Sequence, residues 1–216
     1  MISSATKRRT APKEERQLQL IRATIRSVAK RGLSNTTMAT VAKEAKLSQG
    51  IINLHFQSKD RLLVETLRHL ADEYETAWEK AMHAAGPTDA EKLFALVAVD
   101  FDKPVCERNK IAVWFAFWGE TRSRPTYRKI CAERDRRYMD MLIALCAAIA
   151  REGKYGGVDG ATVANGLSAM SEGLWLDLLI SRESMDRDEA RRICFAYLSS
   201  VFPRHFDHHG AIAGDD

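Results

Sequence analysis

The sequence predicts an all-α fold of about nine helices, and three observations carry that reading. Apolar residues recur at three- and four-residue intervals through most of the 216 residues, the period of a helix with one buried face. The five prolines (Pro12, Pro87, Pro104, Pro125 and Pro203) all fall at breaks in that period, where a residue without an N–H ends a helix or opens one. The spans between them are long and rich in Ala, Leu, Arg, Glu and Met, and no strand-like run occurs outside residues 50–56.

Each element follows from its own residues. Leu18, Ile21, Ile25, Val28 and Ala29 share one face of a first helix, which Gly32 closes as a C-terminal cap. Thr36 or Thr37 caps a second helix, with Met38, Val41, Ala42 and Ala45 inward. Residues 50–56, GIINLHF, have the β-branched and aromatic content of a strand, but strands need partners and the rest of the chain offers none. As a short helix capped by Ser48, the segment turns Ile52 and Phe56 to the core and leaves Gln49, Gly50, Asn53 and Leu54 outside. Ser58 caps a long helix from about 59 to 83, striped by Leu62, Leu63, Thr66, Leu67 and Leu70. AAGPTDA (84–90) is a linker. Further helices are expected at about 89–102, 106–120, 126–152, 158–182 and 186–201.

Charged residues make up 29% and hydrophobic residues 45%, an ordinary globular composition with material for a core. MISSATKRRT has no apolar stretch after its basic residues, so a secretory signal is not expected there. The longest uncharged apolar run, MLIALCAAIA at 141–150, is half the length a membrane span needs. A soluble, cytoplasmic chain with no membrane partner is expected. Cys106, Cys131, Cys146 and Cys194 are far apart and lack a C-x-x-C pair, so they read as reduced, buried thiols.

Charge is unevenly placed. Residues 1–60 hold 12 Lys/Arg against 4 Asp/Glu, and residues 61–216 hold 21 against 25. A basic head on an acidic body is the footprint of nucleic-acid binding. Two short helices joined by a three- to four-residue turn form a helix-turn-helix, whose second helix lies in the major groove of DNA. Gln49 and Asn53 suit adenine edges and Leu54 a thymine methyl. Gly50 lets the backbone approach closely, and Lys59 can reach a phosphate beside helix N–H groups.

At this point a resemblance emerges. TTMATVAKEAKLSQGIINLHFQSKDRLL (36–63) resembles the DNA-binding head of the TetR/AcrR repressors, and the likeness covers residues 14–63. It implies that Thr37, Gln49, Gly50, Asn53, His55 and Lys59 lie where the family touches DNA. The family usually has Tyr where this chain has Asn53, which alters a common phosphate contact. His55 either packs or contacts DNA. The arm carrying KRR lies in a minor groove, along phosphates, or in solvent.

The second half concentrates aromatics in IAVWFAFWGE (111–120), RRYMDML (136–142) and GLSAMSEGLWLDLL (166–179). At helical spacing, as with Trp114 and Trp118, such residues suit plain core. Asp102, Glu120, Asp135, Glu172 and Asp177 lie nearby, and aromatic faces with a carboxylate suit a cation lacking N–H groups. WFAFW, the proline-containing loop after it, RRY and GLWL resemble the carboxy-terminal domain of BetI-type repressors, which control glycine-betaine synthesis and respond to choline. That resemblance implies a ligand site of Phe101, Asp102, Trp114, Phe117, Trp118, Tyr138 and Trp175. The loop REGKYGGVDG (151–160) stands outside the pattern.

Two apolar stripes remain: Val163, Leu167, Met170, Leu174 and Leu178, and Ile193, Ala196, Tyr197 and Val201. In TetR-like proteins such helices pair across a two-fold axis, which implies a homodimer on palindromic double-stranded DNA. The alternative is that both stripes are consumed within one chain. The expected organisation is a flexible basic arm (1–12), a helix-turn-helix domain (13–60), a helical ligand-binding and dimerisation domain (61–203) and a flexible tail (204–216). His205, His208 and His209 read as part of that solvated tail rather than a metal site, and no cofactor is expected. G-x-S-x-G, H-E-x-x-H, a P-loop, a dinucleotide fingerprint and E-x-x-H pairs are all absent, which argues against an enzyme. A small-molecule inducer and control of transcription are expected. The alternatives are a TetR-family regulator of another pathway with a different, hydrophobic or cationic inducer, and a non-specific architectural DNA binder.

Overall fold

The computed structural model describes residues 13–181, 185–207 and 209–212. Among them it has nine helices: α1 (Lys13–Asn35), α2 (Met38–Ala45), α3 (Gln49–His55), α4 (Lys59–Ala84), α5 (Asp89–Val99), α6 (Arg108–Glu120), α7 (Pro125–Glu152), α8 (Gly160–Ile180) and α9 (Arg187–Val201). The chain divides inside α4 into two units, Met1–Thr66 and Leu67–Asp216.

In the first unit, α1 to α3 and the start of α4 enclose Leu20, Ala23, Val41, Ala42, Ala45, Ile52, Phe56 and Leu62. The segment GIINLHF is helical. Its residues are poor helix formers, at a few tenths of a kcal/mol each and about 1 kcal/mol for Gly50. Burial of Ile52 and Phe56 returns roughly 1.5–3 kcal/mol apiece, so packing decides the conformation. Thr37 caps α2: its hydroxyl accepts from the Thr40 N–H at 3.1 Å, and its own N–H donates to Thr40 Oγ1 at 2.8 Å. Lys46 turns the chain out of α2 in the left-handed region (φ 55). Gly32 breaks the helical backbone of α1, as the expected cap does, with non-helical angles of φ 77 and ψ 169. One short turn beyond it reaches Asn35. Thr36, fully buried, stabilises that turn by donating to the Gly32 carbonyl at 2.8 Å.

In the second unit, α8 packs along α7, and α5, α6 and α9 complete the shell. Thr88 and Glu91 form a capping box on α5, Asp159 and Asp186 cap α8 and α9, and Pro125 opens α7. Helix α5 ends at Val99, earlier than residue 102. There the backbone tightens to i→i−3 bonds and buries Asp100 and Phe101. The four cysteines are free and buried, and burial pushes the thiols of Cys106, Cys146 and Cys194 up to about 12 and that of Cys131 to about 11. No helix among the described residues is long and apolar enough to cross a membrane.

Part of the segment expected to be a flexible tail folds back. β1 (Phe206–Asp207) pairs antiparallel with β2 (Gly210–Ala211), Phe206 is buried, and His205 Nδ1 lies 2.9 Å from the Tyr155 hydroxyl. An aromatic that reaches the core is what holds it. His208 and the expected basic arm lie outside the described residues.

Candidate functional site

The outward face of α3 carries Gln49, Gly50, Asn53 and Leu54. All four are exposed, and Leu54 reaches 77%. Three residues (46–48) separate α3 from α2, and the two helices pack together. A Cβ placed on Gly50 would meet only Ser48 Oγ, at 3.8 Å. The fold therefore has no need of a glycine there. Other expected contact residues have structural partners. Thr37 is committed to its cap. His55 is half-buried, and its Nδ1 is enclosed without a hydrogen-bond partner, so the ring packs against the protein. Lys59 Nζ donates to the carbonyls of Leu33 (2.8 Å) and Ser34 (3.1 Å), a cation at the C-terminal end of α1. Two of its three N–H groups are thus engaged. Ser58 Oγ caps α4 by accepting from the Arg61 N–H at 3.1 Å.

The second unit holds a cavity of about 190 Å³. Its centre is Asp100, a buried carboxylate just past α5. Tyr74 of α4 donates to one of its oxygens at 2.6 Å and Tyr138 of α7 to the other at 3.1 Å. The Asp100 carbonyl accepts from the indole N–H of Trp175, on α8, at 2.8 Å. One residue therefore orients three rings contributed by three helices. Burial pushes the Asp100 carboxyl up to about 6, against hydrogen bonds from Tyr74, Tyr138 and Ser171 and the positive charge of Arg134. The phenols of Tyr74 and Tyr138 are raised, by burial first and then by the Asp100 charge. Trp118 stacks on Trp175, with ring centroids 6.3 Å apart and planes 11° apart. Arg134, Asp135 and Glu172 supply further charge. Glu172 is raised by partial burial and then by the charge of Asp135. A site rich in aromatic faces, with carboxylates in excess of guanidinium, can hold a small cation.

Of the seven residues expected to bind ligand, Trp118, Tyr138 and Trp175 line this cavity. Phe101 and Phe117 are fully buried outside it, Phe117 edge-on to Tyr127. Trp114 is buried beneath Arg134. Asp102 lies apart, exposed and paired with Arg191 at 2.5 Å. VDFD holds two carboxylates two residues apart, and the helix end between them turns Asp100 inward and Asp102 outward. Asp135 and Glu172 do reach the cavity. Tyr74 and Arg134 are not among the expected residues; ADEYETAW and ERDRRY are dominated by charged side chains, the composition of a solvated helix face. The signal for Tyr74 was present: Leu63, Leu67, Leu70, Tyr74 and Trp78 continue one buried stripe.

Part of the expected dimer stripe on α8 is turned inward. Val163, Leu167 and Leu174 are buried within the chain, and Met170 and Leu178 are half-buried. Helix α8 is apolar nearly all round, so its leucine stripe faces its own core. The opposite stripe is exposed: Gly166, Ala169, Gly173, Leu176 and Ile180. On α9, Ile193, Tyr197 and Val201 are half-buried.

Comparisons with known proteins identify the family of both parts of the chain. Residues 20–66 match the family described as bacterial regulatory proteins, tetR family, and residues 89–203 match the BetI-type transcriptional repressor, C-terminal. The HTH-type transcriptional regulator BetI of Burkholderia mallei (strain NCTC 10229) is 34% identical over 194 residues, 88% of this chain and 94% of that protein. A solved transcriptional regulator from Pseudomonas aeruginosa PAO1 superposes with a TM-score of 0.77 at 25% identity, over 92% of this chain and 97% of that one. A regulator from Saccharomonospora viridis, solved in complex with choline, superposes with a TM-score of 0.74 at 24% identity, over 86% and 96%.

Proposed function

The chain belongs to the TetR family of bacterial transcriptional regulators, with a BetI-type carboxy-terminal domain, and from that premise we propose that it is a homodimeric repressor controlled by choline or a related quaternary ammonium ion. It is a transcriptional regulator and not an enzyme. Two copies of α3 read a palindromic operator in successive major grooves, in the cytoplasm where the chromosome lies. Ligand in the second unit weakens operator binding, because it favours one arrangement of the dimer over another.

The observation that carries the ligand reading is Asp100, a buried carboxylate holding Tyr74, Tyr138 and Trp175 around one cavity. A cation without N–H groups can be recognised only by charge and ring faces. The cavity is also small beside the roughly 300–1,000 Å³ of pockets for drug-sized ligands, which favours a compact ion. The test is tryptophan fluorescence during a choline titration, with the neutral isostere that replaces nitrogen by carbon as control. Choline alone is expected to change the emission, and Trp175→Ala to remove that change. An equal response to both compounds, or to neither, would refute a cation site while leaving the DNA-reading head intact.

The exposed face of α8 supports the dimer. A Cβ on Gly173 would meet nothing within 4 Å of its own chain, so the bare backbone serves an approach from outside, as small residues do where helices pack closely. The chain is expected to run in light scattering at about twice 24.3 kDa, and Gly173→Glu to run as a monomer. A wild-type monomer at micromolar concentration would count against the assembly.

A further inference from the structure

The ring faces that a quaternary ammonium ion needs already have a cation among them. The Arg134 guanidinium carbon sits 4.6 Å from the Trp114 ring centre, 4.8 Å from Tyr74 and 5.8 Å from Trp118. The rings also pack on one another: Trp118 stacks on Trp175, and Tyr74 lies tilted against Tyr138 at 5.6 Å and edge-on to Trp175 at 6.3 Å. We infer that Arg134 is a tethered competitor for the cation site, and that a quaternary ammonium ligand binds by displacing its guanidinium from the rings. This inference rests on the ligand reading above.

The surroundings of Arg134 suit exchange better than permanent residence. Its side chain is only 9% exposed. Its Nε donates to Asp135 Oδ1 at 2.6 Å and its Nη2 pairs with the same oxygen, but Nη1 is enclosed with no acceptor. An enclosed donor without a partner is unfavourable, so the residue is incompletely satisfied where it lies. Asp135 is 42% exposed on its side chain and offers the departing guanidinium a carboxylate on the solvent side. The exchange is close to charge-neutral: Asp100 loses a guanidinium as neighbour and gains an ammonium. Three carboxylates line the cavity (Asp100, Asp135 and Glu172), so the single arginine does not saturate their charge. Displacement has a mechanical consequence too. Arg134 comes from α7 and reaches rings on α4 and α6, and α4 is the helix that begins in the DNA-reading unit. Ligand would thus release a tie between α7 and α4.

The experiment is calorimetric titration of choline into the full-length wild-type chain and into Arg134→Gln. Removing the competitor is expected to tighten binding about tenfold, equivalent to ~1.4 kcal/mol. Tenfold tightening, or binding by Arg134→Gln alone, supports displacement. If wild type binds choline and Arg134→Gln binds equally or more weakly, displacement is wrong and the cation site stands. If neither chain binds, both readings fall. A second measurement serves should Arg134→Gln not fold. In the wild-type chain the Arg134 side-chain Hε proton, identified by its absence in Arg134→Lys, feels both the Asp135 hydrogen bond and the currents of the three rings and is expected to change its chemical shift on saturation with choline. A resonance that stays in place would overturn the proposal.

Discussion

Asp100→Asn is expected to weaken choline binding at least about a hundredfold, ~2.7 kcal/mol, the scale of removing one member of a buried charge pair. The protein should remain folded. An asparagine amide offers one oxygen to accept from one tyrosine and an NH2 to donate to the other, so both ring contacts survive with one hydroxyl reversed. The effect would therefore isolate charge from shape. Calorimetry on the folded variant checks it, and a loss of less than threefold would remove Asp100 from the binding energy.

The same residue gives the binding a pH dependence with a defined sign. Burial raises the Asp100 carboxyl to about 6, so the fold favours its protonated form. As pH rises from about 4 to about 6, the unfolded chain ionises Asp100 while the folded protein keeps it protonated, so Asp100 progressively subtracts stability. A bound cation favours the ionised form, so choline affinity should fall as pH drops below about 6. Glu172, raised in the same direction by partial burial and the charge of Asp135, adds to that fall. Asp100→Asn should flatten the curve, leaving what Glu172 contributes. A wild-type affinity constant between pH 5 and 7.5 would contradict the assignment.

These predictions depend on residues that differ in how legible they were. The helix-turn-helix was readable because its signals are local. Thr37, Ser48 and Ser58 stand where caps belong, and Ile52 and Phe56 show their burial in their spacing. The cavity is assembled from residues far apart in sequence: Tyr74, Asp100, Arg134 and Trp175. Nothing local distinguishes Asp100 from Asp102, since the choice rests on where α5 ends and which way the next turn faces. Arg134 lies in a run of charged residues that a periodicity argument assigns to solvent, and only the rings of α4 and α6 reveal that it is buried. Part of the expected dimer stripe turns inward for another reason: Val163, Leu167 and Leu174 pack on the chain's own core, while Met170 and Leu178 stay half-buried. When a helix is apolar on several faces, hydrophobic spacing finds the face packed on the chain's own core, and the small residues opposite carry a weaker signal. Resemblance supplied the aromatic types of the second domain, and geometry decided which of them share a cavity.

Gly50→Ala is expected to separate folding from DNA binding. The backbone at Gly50 is helical and the added Cβ would make only an ordinary contact with Ser48 Oγ. Alanine should hold or raise stability, with up to about 1 kcal/mol available from helix propensity. On DNA the same methyl group would stand between the helix backbone and the duplex. Forcing an extra carbon into a close-packed contact costs ~1–3 kcal/mol, a weakening of about five- to 150-fold. Lys59→Ala is the less informative probe, because Lys59 also holds the carbonyls of Leu33 and Ser34 at the end of α1. Its loss would disturb the head as well as a phosphate contact. The measurement pairs a thermal melt with fluorescence anisotropy on a duplex selected from random sequence by the wild-type chain. An unchanged melt with weakened binding places the backbone of α3 against DNA. Unchanged binding would mean that the close approach lies elsewhere on the head, and Gln49 and Asn53 would then have to reach the bases across a wider gap.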